Sequence, residues 1–192
     1  MKPAPLTLAA ALTWCLATPS TASAATSLLV ETDPQPFLFK GFAAHVRAVP
    51  QREHLVIGAG VYALDFPALL IDLDPENRSA GWHARLRLGG AVFGDYSFKR
   101  DAEGWFVGAE LALQDFRYTN DNEPGRAATA LNFVVLPRAG YAWRPFDAGF
   151  YLMPWFGLGY TAQIAGERRV GARRYDLSPF VPYAALHLGW KF

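Results

Sequence analysis

The sequence predicts an all-β protein whose strands close into an antiparallel, up-and-down transmembrane β-barrel of about eight strands. Strand-length stretches in which apolar residues alternate with small or polar residues fill most of the chain. The length of 192 residues suits one domain, and 52% of the residues are hydrophobic. This content exceeds what a small soluble core usually needs, so part of the apolar surface must face something other than a core.

The first 24 residues have the features of a cleaved secretory signal peptide. Lys2 is the basic start, residues 6–17 form an apolar run, and Ala22-Ser23-Ala24 is a small-residue cleavage site. The remaining domain, residues 25–192, has no run of 18 apolar residues free of charged or turn residues. We therefore expect export, and any membrane crossing must be made by strands.

Charge and cysteine content exclude several classes of function. Of 18 basic residues, Lys2 lies in the signal peptide, which leaves 17 basic against 17 acidic residues in the mature chain. This balance argues against nucleic-acid binding. The one cysteine, Cys15, also lies in the signal peptide. The four histidines lack the close spacing of metal ligands, and we expect neither metal nor cofactor.

Apolar residues alternate clearly with small or polar residues in five stretches. Three stretches with weaker alternation bring the predicted number of strands to eight. The even number is the one expected for a bacterial single-chain barrel. The clear strands are residues 82–98, 105–118, 131–144, 150–164 and 180–192, and the weaker ones are 37–49, 54–64 and 27–32.

Connection lengths and aromatic residues separate this pattern from that of a soluble β-sandwich. Short connections (50–53, 99–103, 145–147) alternate with long ones (65–81, 120–128, 165–178), as periplasmic turns and external loops do. Outward aromatic residues gather beside the strand ends, which is typical of interfacial girdles. At the short-turn rim we expect Phe98, Trp105, Trp143, Phe150, Trp190 and Phe192, and at the outer rim Trp82, Tyr160 and Phe180.

Strand alternation places a set of charged side chains on the inner face. They are Arg47, Arg85, Arg87, Asp95, Glu110, Arg138 and Arg144. A symmetric hairpin of strands 105–118 and 131–144 would bring Glu110 opposite Arg138. Because an eight-stranded lumen is only just wide enough for side chains, we expect an internal ion-pair network that plugs it. An ion gate or narrow pore is the alternative. Alternation also places His45, His83 and His187 on the inner face, where we expect them to fill the lumen as polar side chains.

The last seven residues resemble the C-terminal assembly signal of outer-membrane proteins. Leu186, Leu188 and Trp190 alternate up to the terminal aromatic Phe192, although His187 stands where many such signals carry Gly. In length and strand count, the mature chain resembles the small eight-stranded barrels of the OmpW and OmpX type. The resemblance implies the cell outer membrane as location, engagement by the barrel-assembly machinery, and contact with membrane lipid. We also expect a monomer.

Three functions remain open. The first is a non-catalytic barrel for envelope integrity or surface interaction. The second is a conduit for small apolar molecules, with the apolar run 66–71 at its mouth. The third is a lipid A-modifying hydrolase using Ser178 with Tyr175 and Asp176, although His187 lies nine residues away, about 30 Å along a strand.

The last long loop carries four arginines that could hold lipopolysaccharide phosphates through their guanidinium groups. Ordinary solvent-exposed charge on a loop would account for these arginines equally well. They are Arg168, Arg169, Arg173 and Arg174.

Overall fold

Eight antiparallel strands close into a barrel in the computed structural model, which describes residues 26–50, 53–146 and 148–192. This architecture confirms the predicted all-β, antiparallel barrel. The predicted signal peptide, residues 1–24, lies outside the described residues.

The barrel strands differ in length, and the first is the shortest. They are β1 (Thr26–Thr32), β2 (Phe42–Pro50), β3 (Leu55–Asp65), β4 (Trp82–Ser97), β5 (Gly104–Asn120), β6 (Ala128–Ala142), β7 (Phe150–Gly166) and β10 (Phe180–Lys191). A small hairpin in the last long loop contains β8 (Arg169–Val170) and β9 (Arg173–Arg174). The helical segments are α1 (Gln35–Leu38), α2 (Ala68–Ile71) and the single turns Pro75–Asn77 and Arg100–Ala102.

The strand order around the barrel is β1, β10, β7, β6, β5, β4, β3, β2. Each barrel strand thus lies beside its neighbours in sequence, and β1 closes the ring by pairing with β10 as well as with β2. This is the up-and-down connectivity that the sequence predicts.

The predicted strand 37–49 begins too early, because residues 35–38 form α1 and β2 starts at Phe42. The Asp33 side chain accepts a hydrogen bond from the Gln35 backbone N–H (2.9 Å), a turn that bends the chain into the helix. No helix among the described residues is long and apolar enough to cross a membrane.

The predicted alternation of long and short connections holds only in part. The connections after β1, β3, β5 and β7 lie at one end (the loop end), and those after β2, β4 and β6 lie at the other end (the turn end) with Thr26 and Phe192. The connection 121–127 at the loop end is no longer than the connection 143–149 at the turn end. Outward aromatic residues gather at the turn end, where Phe98, Trp105 and Trp190 are among the exposed side chains. At the loop end, exposed Tyr160 packs edge-on against Phe180.

A β-bulge in β4 makes part of the predicted face assignment wrong. The register between β4 and β5 shifts between Leu86 and Leu88, so strict alternation does not continue through this point. Trp82 is therefore buried inside instead of lying in the outer girdle, and His83 points outward. Arg85 and Arg87 also lie on the outer face.

These two outward arginines form exposed ion pairs and do not belong to the lumen. Arg85 Nη1 lies 2.6 Å from Asp65 Oδ1, and Arg87 Nη2 lies 2.6 Å from Asp115 Oδ2. His83 Nε2 lies 2.9 Å from Asp121 Oδ1, and both side chains are well exposed. The loop end of this wall therefore carries a row of outward charges above the apolar surface.

Inward glycines make room for the large side chains that fill the lumen. A Cβ at Gly60 would overlap the His45 ring, and a Cβ at Gly108 would overlap the Asp95 carboxylate and the Gly94 carbonyl. A Cβ at outward Gly94, by contrast, would have no atom within 4 Å. The interior is thus close-packed at these positions, while the same strands leave open space on the outer face.

We expect Gly108→Ala to destabilise the barrel by about 1–3 kcal/mol, since the added methyl must displace both a buried carboxylate and backbone. Gly94→Ala is the matched control on the neighbouring strand, and we expect it to change stability by less than about 0.5 kcal/mol. Urea-induced unfolding of each variant in lipid vesicles measures the difference. Equal effects of the two substitutions would contradict the packed interior.

Candidate functional site

Asp95 on β4 is the centre of a buried ion-pair network in the lumen. Its side chain is fully buried and accepts hydrogen bonds from Arg47 Nη2 (2.6 Å), Arg138 Nε (3.0 Å) and Arg138 Nη2 (2.9 Å). Arg138 also reaches Glu110 at 3.2 Å, and Arg47 reaches Glu31 at 2.9 Å. These contacts tie β1, β2, β4, β5 and β6 together across the lumen.

Aromatic rings cover the guanidinium groups of this network. The Arg138 guanidinium carbon lies 4.2 Å from the centroid of the Phe93 ring and 5.4 Å from that of Trp155. Arg47 lies 5.8 Å from the Phe93 centroid. Such cation–π contacts stabilise a cation where water is excluded. The two arginines are therefore held by carboxylates along their edges and by rings over their faces.

A chain of hydrogen bonds extends the network towards β7 and β10. Trp155 Nε1–H donates to His187 Nε2 (3.0 Å), which places the ring proton of His187 on Nδ1. That Nδ1–H donates to Glu31 Oε2 (2.8 Å), and the Tyr151 hydroxyl donates to Glu31 Oε1. His187 thus uses both ring nitrogens within the protein.

Glu31, His45 and His187 bring potential metal-ligand atoms within 4.8 Å of one another. The donor chemistry fits a metal poorly, because both nitrogens of His187 are engaged and Glu31 already accepts from Arg47 and Tyr151. The His45 and His187 rings are stacked with centroids 4.5 Å apart, so their in-plane lone pairs do not converge. The cluster is better described as a hydrogen-bonded one.

An apolar cavity of about 600 Å³ lies above the network on the side of the long loops and extends to Phe156, Pro182 and Ala184 on the outer face of the wall. His45, Glu110, Trp155 and His187 line its floor, and Gln114 and Tyr62 add polar groups to the wall. Most of the remaining lining is aliphatic or aromatic, including Leu64, Leu86, Val134 and Leu136. A largely apolar cavity with a few converging polar groups is the usual form of a small-molecule site.

His45 is the polar group at this floor that lacks a partner. The residue is 7% exposed, and its Nδ1 atom has no hydrogen-bond partner among the described residues. This Nδ1 atom is itself buried, so the ring contacts the cavity through its other atoms. His45 therefore marks the polar end of the cavity.

The apolar run 66–71 folds over the barrel end and contributes to the cavity. Phe66, Pro67, Leu69 and Leu70 line it, and the Phe66 ring packs edge-on against Phe116 inside the barrel. Ile71 is buried in the cluster beneath. The position agrees with the mouth that the sequence predicts for this segment.

Four of the seven predicted lumen charges lie in the network: Arg47, Asp95, Glu110 and Arg138. Arg85 and Arg87 face outward because of the bulge in β4, and Arg144 lies at the turn end, where it donates to the Asp101 carbonyl (2.5 Å). Glu31 was missed, since β1 is too short to give a clear alternation. The sequence indicated the inward position of Glu31 only in that it is an acidic residue within an otherwise apolar stretch.

The remaining predicted residues lie apart from the cavity floor. Arg169, Arg173 and Arg174 are exposed on the β8–β9 hairpin, whereas Arg168 donates to Gln163 and to the Tyr175 carbonyl. Ser178 donates to the Phe180 carbonyl (2.9 Å) and Tyr175 stacks on Tyr118, so neither is paired with a histidine. The terminal set Leu186, Leu188, Trp190 and Phe192 lies on the outer face of β10 and its end, with Leu188 half-buried.

Comparisons with known proteins give one structural similarity. No protein-family profile matches the chain, and no curated protein matches it. Among solved structures, a major outer membrane protein from Thermus thermophilus is similar, with a TM-score of 0.45 and 14% sequence identity. The similarity covers 88% of this chain and 100% of that chain.

We expect Asp95→Asn to destabilise the barrel by about 3–5 kcal/mol, because Arg47 and Arg138 then share a buried site without their common counter-charge. Asp115→Asn, which removes the exposed partner of Arg87, is the control and should change stability by about 0–1 kcal/mol. Unfolding midpoints in lipid vesicles measure both. If Asp95→Asn is as mild as the control, the network contributes little to stability.

Proposed function

We propose that the chain is an integral outer-membrane β-barrel that binds a small amphiphilic molecule in the cavity above its buried ion-pair network. The observation that carries this proposal is the cavity itself, which is apolar on its walls and polar at its floor, where Glu110 and His45 lie. Of the three functions that the sequence leaves open, the second, handling of small apolar molecules, fits this cavity best.

The outer surface supports the membrane position. Along β5, the outward residues from Trp105 to Leu113 carry no charge, a stretch of about 27 Å at the usual rise per residue. Asp115 and Arg87 lie beyond it. An outward apolar band about 25 Å tall between aromatic rims is typical of outer-membrane barrels, and in water the same surface would promote aggregation.

The charges at the floor select the head group of the ligand. Three carboxylates (Glu31, Asp95, Glu110) face two guanidiniums (Arg47, Arg138) in the described interior. Glu110 lines the cavity, so a ligand carboxylate would meet like charge there. We therefore propose a single-chain molecule with an uncharged hydrogen-bonding head, such as a long-chain alcohol.

The exposed arginines of the β8–β9 hairpin support contact with lipopolysaccharide. Arg169 and Arg174 are paired across the hairpin, where like charges destabilise each other unless an anion lies between them. Phosphate groups at the outer surface are such anions. This contact would anchor the loop end of the barrel without involving the cavity.

Photolabelling of the membrane-embedded protein tests ligand binding. With a diazirine-bearing hexadecanol in nanodiscs, we expect labels on residues that line the cavity, competed by unlabelled hexadecanol. Leu136→Trp fills the cavity and should abolish these labels, whereas Val135→Trp, on the outer face of the same strand, should leave them unchanged. Cavity labelling that persists in Leu136→Trp, or that never occurs in the wild type, refutes the proposed function.

A second test concerns polar solutes. Because Arg47, Asp95 and Arg138 meet across the lumen, we expect reconstituted liposomes to retain a small neutral sugar as well as protein-free liposomes do. Liposomes that contain an open porin serve as the positive control. Rapid sugar release from the wild-type protein would favour the narrow pore instead.

A further inference from the structure

The barrel wall is incomplete where it closes between β1 and β10. β1 has seven residues and β10 has twelve, and only Leu188–Lys191 of β10 pair with β1. The other edge of β10 pairs with β7 from Phe180 to Trp190. Within the part of the chain that the structure describes, residues 180–187 of β10 therefore have a strand partner on one side only, over about 25 Å at the usual rise per residue.

The internal cavity passes around this free edge. Tyr183 and Ala185, which face the lumen, line the cavity, and so do Pro182 and Ala184 on the outer face of the same strand. One continuous cavity can contact both faces of a strand only by passing its edge. The cavity therefore opens through the wall as well as towards the long loops.

Residues 33–41 lie on the opposite side of the gap and do not close it by pairing with β10. Asp33, Gln35, Pro36 and Phe39 line the cavity there, and α1 packs chiefly against β2 and β3. The backbone of this segment bonds to itself and to β3, as in Asp65 N to Phe39 O (2.8 Å). Within the described residues, no backbone hydrogen bond joins residues 33–41 to β10.

The rim of the gap suits an acyl chain. Pro182 has no N–H to leave unpaired at a free edge, and Ala184 and Ala185 leave space between the two sides. Phe37 and Leu38 on α1 are 58% and 80% exposed. Exposure of two such apolar side chains is favourable in lipid and unfavourable in water.

We infer that this gap is a lateral portal through which a single-chain lipid with an uncharged hydrogen-bonding head passes between the membrane and the cavity. The inference rests on the proposed function. The chain would lie across the gap between Pro182 and Pro36, while the head lies at the cavity floor beside Glu110 and His45. The long-loop end would then not need to open for binding.

Reversible blockage of the gap tests the portal. In a Cys15→Ser background, which is cysteine-free, Ala184→Cys places a thiol on the portal rim. Ala109→Cys, outward on the intact β5, is the matched control, and Leu69→Cys places a thiol at the loop mouth. Each variant in nanodiscs is modified with a bulky methanethiosulfonate, and cavity labelling by the diazirine-bearing hexadecanol is followed over time, before and after dithiothreitol.

We expect modification of Ala184→Cys to slow cavity labelling by about tenfold or more, because Ala184 lines the cavity on the edge of β10 that pairs with no strand among the described residues. Dithiothreitol should restore the rate, and modified Ala109→Cys and Leu69→Cys should load normally. An unchanged rate in modified Ala184→Cys, or a slow rate in modified Leu69→Cys alone, overturns the portal while the binding function stands. If unmodified protein shows no cavity labelling, the proposed function itself fails.

Discussion

The contact of one buried carboxylate with two arginines organises the interior of this barrel. Asp95 is fully buried and shared by Arg47 and Arg138, and neither guanidinium could remain in a narrow, dry lumen without such a partner. Glu31 and Glu110 pair with the remaining Nη groups of Arg47 and Arg138, whereas Arg47 Nε has no hydrogen-bond partner among the described residues. Because the partners come from strands far apart in the sequence, their pairing also requires that the ring of strands be closed.

The same network divides the interior into two parts with different properties. Towards the turns, Met153, Phe106 and Tyr151 fill the lumen around the ion pairs. Towards the loops, the walls become aliphatic and space remains above His45 and Glu110. A polar floor beneath an apolar chamber is the arrangement that an amphiphile requires, and the short β1 strand places the side opening at the level of this chamber.

Alternation along single strands was sufficient to predict seven of the eight strands and the inward positions of Arg47, Asp95, Glu110 and Arg138, whereas the eighth strand was inferred from the even number expected for a barrel. It failed at Trp82, Arg85 and Arg87, because one extra residue in a bulge reverses the faces without changing the composition. The proximity of His45 and His187 could not be predicted, since it depends on β1 lying between their strands in the closed ring. The cavity is likewise a product of tertiary packing, in which Gly60 yields space to the His45 ring.

The outward ion pairs on β4 and β5 make the apolar surface unequal around the barrel. On β5 it ends at Leu113, eight residues from Trp105, whereas on β10 it continues for twelve residues from Phe180 to Phe192. At the usual rise per residue the difference is about 14 Å along the strand. A hydrophobic band of unequal height is accommodated by tilting of the protein or by local thinning of the bilayer. If the barrel lies in a membrane of uniform thickness, as proposed, its axis would be inclined, and the hydrocarbon layer would be thinnest beside the Arg87–Asp115 wall.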